Sequence, residues 1–198
     1  MSGLLVHVCC APCAVYPLMT LTARLQDNSK TEPNPANPSG QIFETIVPWF
    51  YNPNIHPLEE FIRRRDGVAF LASQITASSG GFLAPVDFSP KYEPQVFLAA
   101  VSDTPQEPER CRRCYRLRLL EAARATKDRE LSAFTTTLLY SRRQKHELIA
   151  EEGRLAAAQF GVQFLNEDFR VGWKEGIELG KKLNLYRQRW CGCVYGAV

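Results

Sequence analysis

The residues best able to do chemistry are the seven cysteines, and they fall into three groups: Cys9, Cys10 and Cys13; Cys111 and Cys114; Cys191 and Cys193. None stands outside a group. Cysteines kept only for packing would scatter, whereas grouped thiols suit a metal ion, an iron–sulfur cluster or a dithiol redox couple. Cys111 and Cys114 have CxxC spacing at a helix start, inside ERCRRCYRLRL, so both sulfurs can reach one metal. The helix N-terminus and the flanking Arg110, Arg112 and Arg113 are expected to lower their thiol pKa values.

Cys9, Cys10 and Cys13, in HVCCAPC, supply further ligands. Zinc in a four-cysteine site and an iron–sulfur cluster both accept such a set. Two features tilt the reading away from structural zinc. The chain offers more thiols than one zinc takes, and adjacent residues such as Cys9 and Cys10 are expected to point their side chains apart and serve two neighbouring metal centres. Cys191 and Cys193, in RWCGCVYG, read equally as a strained and readily reduced redox pair or as additional ligands.

Other chemistry is sparse. His7 lies in an apolar run and reads as a core residue, His146 as a solvent-facing helix residue, and His56 as a site neighbour or a helix start. No Ser-His-Asp pattern, Walker loop or GxGxxG is found. Basic residues do cluster, at Arg63 to Arg65, at Arg110, Arg112, Arg113, Arg116 and Arg118, at Arg142, Arg143 and Lys145, and at Arg187 and Arg189. Tyr115, Tyr140, Tyr186 and Trp190 interleave them. RNA recognition favours that mixture, although solvated helix faces give similar runs.

The elements that must carry these residues belong to an ordinary globular chain. Its 198 residues are 45% hydrophobic and 23% charged, enough for one domain over 1–198. The net charge of +3 does not by itself call for nucleic acid. No apolar run approaches the roughly 18 residues of a membrane span, and the start lacks the features of a secretory segment. A cytoplasmic protein with reduced thiols is expected.

LLVHV at 4–8 reads as a buried strand and 16–26 as a helix. The stretch 27–42, rich in Pro, Asn and Ser, reads as a mobile surface loop. A second strand follows over 43–53, irregular at Pro48, then a helix over 56–74 with Pro57 in its first turn. The proline-broken segment GFLAPVDFSPKYEPQVFLAAVS reads as one strand and a short helix. Beyond it come a helix over 107–128, a β-branched strand over 131–141 and a helix over 143–161 closed by Gly161. A strand over 162–169 and a last helix complete the pattern. Strands alternating with helices predict an α/β fold with a mostly parallel sheet flanked by helices. Sites in such sheets form at the C-terminal strand ends, where the first cysteines stand.

Several segments together resemble one family: HVCCAPC, YNPNIHPLEEFIRR, ERCRRCYRLRL, FTTTLLYSRRQ and EDFRVGWKEGIELGKKLNLYRQRWCGCVYG. They resemble the cobalamin-independent epoxyqueuosine reductases, the QueH family, across most of the chain and in order. The resemblance implies an adenine-nucleotide-hydrolase-like (HUP-like) sandwich and reduction of the epoxide of epoxyqueuosine, at the wobble position of tRNA, to queuosine. It also implies a [4Fe–4S] cluster beside an additional iron, with an external electron donor. On that basis Cys10, Cys111 and Cys114 are expected to hold the cluster, Cys9 and Cys13 the iron, and Cys191 and Cys193 a redox pair. Asp168 in EDFR is a candidate acid, alongside the plainer reading of a cap and salt bridge with Arg170. Where ATP-using relatives of that sandwich carry a phosphate loop, this chain has CCAPC. A tRNA-thiolating enzyme and a zinc-stabilised RNA-binding module are the competing readings.

Overall fold

A computed structural model describes residues 2–26, 43–77, 80–88 and 92–196 of the chain; the loop expected over 27–42 lies outside the described residues. The apolar run after Ser2 forms β1 (Gly3–His7), buried at every position. Such two-sided burial belongs to the centre of a parallel sheet. β1 pairs in parallel with β2 (Thr45–Phe50) on one side and with β4 (Ala133–Thr136) on the other. β3 (Asp87–Phe88) adds to β2, and β5 (Gln163–Phe164) adds to β4. The five strands run in the order β3-β2-β1-β4-β5, all parallel, as the alternating pattern predicts.

Helix α1 (Ala11–Gln26) packs on α2 (Leu58–Thr76) and on α6 (Trp173–Lys182). Helix α4 (Glu109–Asp128) packs on α3 (Pro94–Val101) and on α5 (His146–Phe160). Two helical layers thus flank the sheet. Among the described residues no helix is long and apolar enough to cross a membrane.

Four boundaries differ from expectation, each for a local reason. Helix α1 starts at Ala11 rather than 16, because Pro12 fits a first turn whose N–H groups have no intrahelical partner. Cys13 therefore sits in the helix. The β-branched run over 131–141 stays extended only to Thr136, whose hydroxyl accepts from the Leu138 N–H at 3.2 Å and starts a 3₁₀ turn over Thr137–Tyr140. The strand over 162–169 contracts to β5, and Asp168 caps a second 3₁₀ turn, Phe169–Gly172. Pro57 precedes α2 as its N-cap.

Pro48 causes the irregularity anticipated. Ile46 donates to Phe82 O at 2.9 Å on the β3 side; Pro48, two residues on and facing the same way, has no N–H to give. Pairing on that edge is correspondingly broken between an isolated bridge at Leu83 and β3 itself. Gly161 ends α5 in the left-handed region at φ 69°, as a C-terminal glycine should.

The strand order reverses between β1 and β4, and ligands of open α/β sheets bind at that crevice. Cys9 follows β1 and Thr137 follows β4. The fold thus delivers the first thiol group to the edge where such sheets bind ligands.

Candidate metal centre

Cys9, Cys10 and Cys13 converge because a strand turns straight into a helix around them. Val8 N–H still donates to Trp49 O at 2.8 Å, extending the β1 ladder, while Ala14 N–H donates to Cys10 O at 3.1 Å and opens the helix. The three sulfurs lie within 4.8 Å of one another. Cys9 and Cys10 do not diverge as expected; their sulfurs are 3.7 Å apart. Tetrahedral thiolate ligands with bonds of about 2.3 Å stand roughly 3.8 Å apart, so the group could bind a metal.

Side chains from three other elements press on this tripod. Thr137 Oγ1 accepts from Cys9 N–H at 3.1 Å and donates to Cys9 Sγ at 3.3 Å. The Gln188 amide nitrogen donates to Cys10 Sγ at 2.7 Å and lies 3.8 Å from Cys13 Sγ. Arg118, on α4, is only 3% exposed. Its Nη2 donates to Asn52 Oδ1 at 2.6 Å, and its Nε has no partner. A guanidinium buried without a carboxylate is costly. Among the described residues no carboxylate lies within salt-bridge reach of it, and its charge favours the thiolates of Cys9, Cys114 and Cys191. An anionic metal–thiolate group would supply the missing counter-charge. The residues present therefore fit a metal centre.

The thiols do not share one acidity. Hydrogen bonds from Cys10 and Cys13, aided by Arg118 and Thr137, hold Cys9 well below the ordinary thiol value. Burial raises Cys10, and hydrogen bonding with Cys10 and Cys9 raises Cys13.

Cys111 and Cys114 lie on the first turns of α4, as the spacing predicts, yet their acidity is opposite to expectation. Burial, then Glu107, pushes Cys111 up to about 11, and burial raises Cys114. The flanking arginines are already committed: Arg110 to Glu107, Arg112 to Glu151 and Glu152, and Arg113 to Asp103. A cation already paired gives little to a nearby thiol. Cys114 packs with Phe97, Val101 and Cys193, whereas Cys111 faces the same cavity as Cys9, Cys13 and Cys191.

That cavity measures about 360 Å³. Cys191 is exposed at its wall and Cys193 is buried behind it. The loop joining them is clamped. Arg64 Nη1 donates to Cys191 O at 3.0 Å, its Nη2 to Trp190 O at 3.1 Å, and Asn54 Nδ2 to Cys191 O at 3.3 Å. Behind the clamp, Glu60 accepts from Arg64 Nε at 2.6 Å and from the Tyr186 hydroxyl at 2.8 Å. Gly192 is at φ 98°, and a Cβ there would stand 2.9 Å from Ile55 and 3.0 Å from Arg64. A hydrogen bond from Cys193 brings Cys191 down to about 6, and Cys193 is raised in return.

The remaining candidates separate cleanly. Asp168 is not among the cavity-lining residues; it pairs with Arg170 at 2.8 and 2.7 Å and caps the turn through Arg170 N–H. His7 is a satisfied core residue, bonded to Thr136 Oγ1 at 2.8 Å and Tyr51 O at 3.1 Å, and burial pushes it down to about 3. His56 meets the Tyr92 hydroxyl at 2.8 Å. His146 donates to Ser141 O at 2.8 Å rather than facing solvent alone. Thr137, Gln188 and the Glu60–Arg64 pair escaped the sequence reading. Only the four-residue spacing of Glu60 and Arg64 offered a signal, and that spacing is common on exposed helices.

A family model described as "Epoxyqueuosine reductase QueH" matches residues 39–198. Epoxyqueuosine reductase QueH of Thermotoga maritima is 32% identical over 203 residues, covering 100% of this chain and 92% of that protein. The proteins of the same name from Staphylococcus epidermidis and Streptococcus pyogenes are each 29% identical, covering 98% of this chain and 76% and 70% of their own lengths.

Proposed function

The chain belongs to the epoxyqueuosine reductase QueH family, and from that premise we propose that it removes the epoxide oxygen of epoxyqueuosine in tRNA, the last step of queuosine biosynthesis. The observation that carries this reading is the convergence of three cysteine groups on one cavity beside a buried, unneutralised Arg118.

Turning an epoxide into an alkene takes two electrons and two protons and releases water. Cys191 and Cys193 balance that sum: two S–H bonds break, one S–S bond forms, and the two protons leave with the epoxide oxygen as water. The exposed Cys191 is then open to attack by an external dithiol donor, which returns the pair to its reduced state.

The cofactor we propose is a [4Fe–4S] cluster with an additional iron, which when bound would pass electrons and act as a Lewis acid toward the epoxide oxygen. Cys10, Cys111 and Cys114 would hold the cluster, and Cys9 and Cys13 the iron. Hydrogen bonds from Cys10 and Cys13, aided by Arg118 and Thr137, keep Cys9 ready as a thiolate. Gln188 orients Cys10 and Cys13, and Arg64 holds the Cys191 loop against the cavity. The cavity is large enough for a nucleoside but not a duplex, so the modified nucleoside must enter splayed from its strand.

The test is direct. Protein purified without oxygen is given a tRNA carrying epoxyqueuosine and a reductant, and the digested nucleosides are weighed by mass spectrometry. A product lighter by one oxygen is expected. No conversion by metal-replete protein would overturn the proposal.

A further inference from the structure

Most arginines of the described residues are neutralised by a carboxylate. Those of α4 illustrate it: Arg112 and Arg116 meet the buried Glu152, Arg113 meets Asp103, and Arg124 meets Glu121. The basic run ERCRRCYRLRL is thus largely consumed by the fold.

Five exposed arginines among the described residues break the pattern, and four of them stand together. Arg142 and Arg143 follow the 3₁₀ turn after β4, and Arg187 and Arg189 precede the last two cysteines. Among the described residues none of them has a carboxylate within 4.0 Å. Arg143 Nη1 donates to Arg189 O at 3.1 Å and ties the two segments to each other. Arg143, Arg187 and Arg189 line the cavity, and Arg142 lies over the ring of Trp173, another lining residue, 5.4 Å from its centroid. Lys145, on the same wall, is instead held by Glu107 at 2.9 Å.

Adjacent like charges with no counter-ion repel and destabilise the fold around them. A polyanion laid along the rim reverses that sign, and releases its own counter-ions on binding. We propose that Arg142, Arg143, Arg187 and Arg189 form the phosphate-gripping rim for the single-stranded RNA on either side of the modified nucleoside. The inference rests on the reading of tRNA as substrate, and it assigns recognition to these four residues rather than to the more numerous arginines of α4.

The experiment measures binding of a tRNA carrying epoxyqueuosine by fluorescence anisotropy across a salt series, with conversion followed in parallel. Arg187→Ala and Arg189→Ala each should weaken binding several-fold and flatten the log–log salt slope by about 0.7, the single-strand increment per phosphate contact. Arg187→Lys should restore the slope, since a point charge suffices for it. Arg154→Ala is the control: Arg154 is exposed on α5 and also lacks a carboxylate partner among the described residues, but lies outside the cavity, and its loss should leave the slope unchanged. The proposal is overturned if alanine at all four rim positions leaves affinity and slope at wild-type values, or if Arg154→Ala lowers them equally. Wild-type protein that reduces epoxyqueuosine while the rim variants bind normally defeats the rim alone. Rim-dependent binding by protein that never reduces the nucleoside defeats the reductase reading alone.

Discussion

Cys9 and Cys13 after β1 and Cys111 opening α4 face one cavity, but the two thiol groups were built by opposite means. At the end of β1 a strand passes directly into a helix, so three sulfurs crowd within 4.8 Å, and hydrogen bonds from Cys10 and Cys13, aided by Arg118 and Thr137, favour the Cys9 thiolate. On α4 the two thiols sit on a helix whose arginines are bound to carboxylates, and burial raises both. Hydrogen bonding between crowded sulfurs therefore lowers a thiol that the carboxylate-paired arginines of α4 do not. Arg118, with no carboxylate within salt-bridge reach among the described residues, adds to the lowering of Cys9.

The comparison breaks most decisively by removing a tripod ligand. In metal-free protein titrated with Co²⁺, Cys9→Ser should abolish the thiolate-to-metal absorption of the first ion bound, whereas Cys111→Ser should keep it. Equal loss in both variants would mean that the tripod is not a separate ion site. Arg118→Gln should act through charge: the gain in unfolding free energy by urea on loading metal should shrink, by on the order of 2 kcal/mol. An undiminished gain would show that Arg118 does not compensate the centre.

Gly192→Ala tests the clamp on the third thiol group. A left-handed backbone angle with close approach to Ile55 and Arg64 should cost about 1–2 kcal/mol in denaturant stability, and the Cys191–Cys193 pair should oxidise at an altered rate. Unchanged stability would show a loop free to adapt. The smallest effect is a contrast in alkylation of metal-free protein. Thiolate, the reactive form, accumulates above each pKa, so Cys191 should reach half its maximal rate near pH 6 and Cys111 only near pH 11. Coincident profiles would erase the difference between paired and buried thiols.

Much of this molecule was legible in its sequence for identifiable reasons. β1 announced itself as an unbroken apolar run, α5 by its period and Gly161, and the irregular edge by Pro48. Grouping of the cysteines pointed to one site because no thiol stood apart. What the sequence withheld depends on contacts between distant segments. Thr136 ends β4 early by capping its own turn. Arg118 is hidden in a basic run that looks solvated, and only its packing against Asn52 separates it from its neighbours. Arg64 sat within an equally unremarkable Arg63–Arg65 triplet, yet it alone of the three reaches the Cys191 loop. Asp168 shows the reverse: an acid after a strand, attractive in sequence, is spent on Arg170 and its own turn.

The central claim, that the converging thiols hold an iron centre, is tested most directly by metal and sulfide analysis with an optical spectrum on protein purified without oxygen. About five irons and four sulfides per chain, a brown protein and bleaching on reduction are expected. Stoichiometric zinc in a colourless protein that takes up no iron on attempted reconstitution would contradict it.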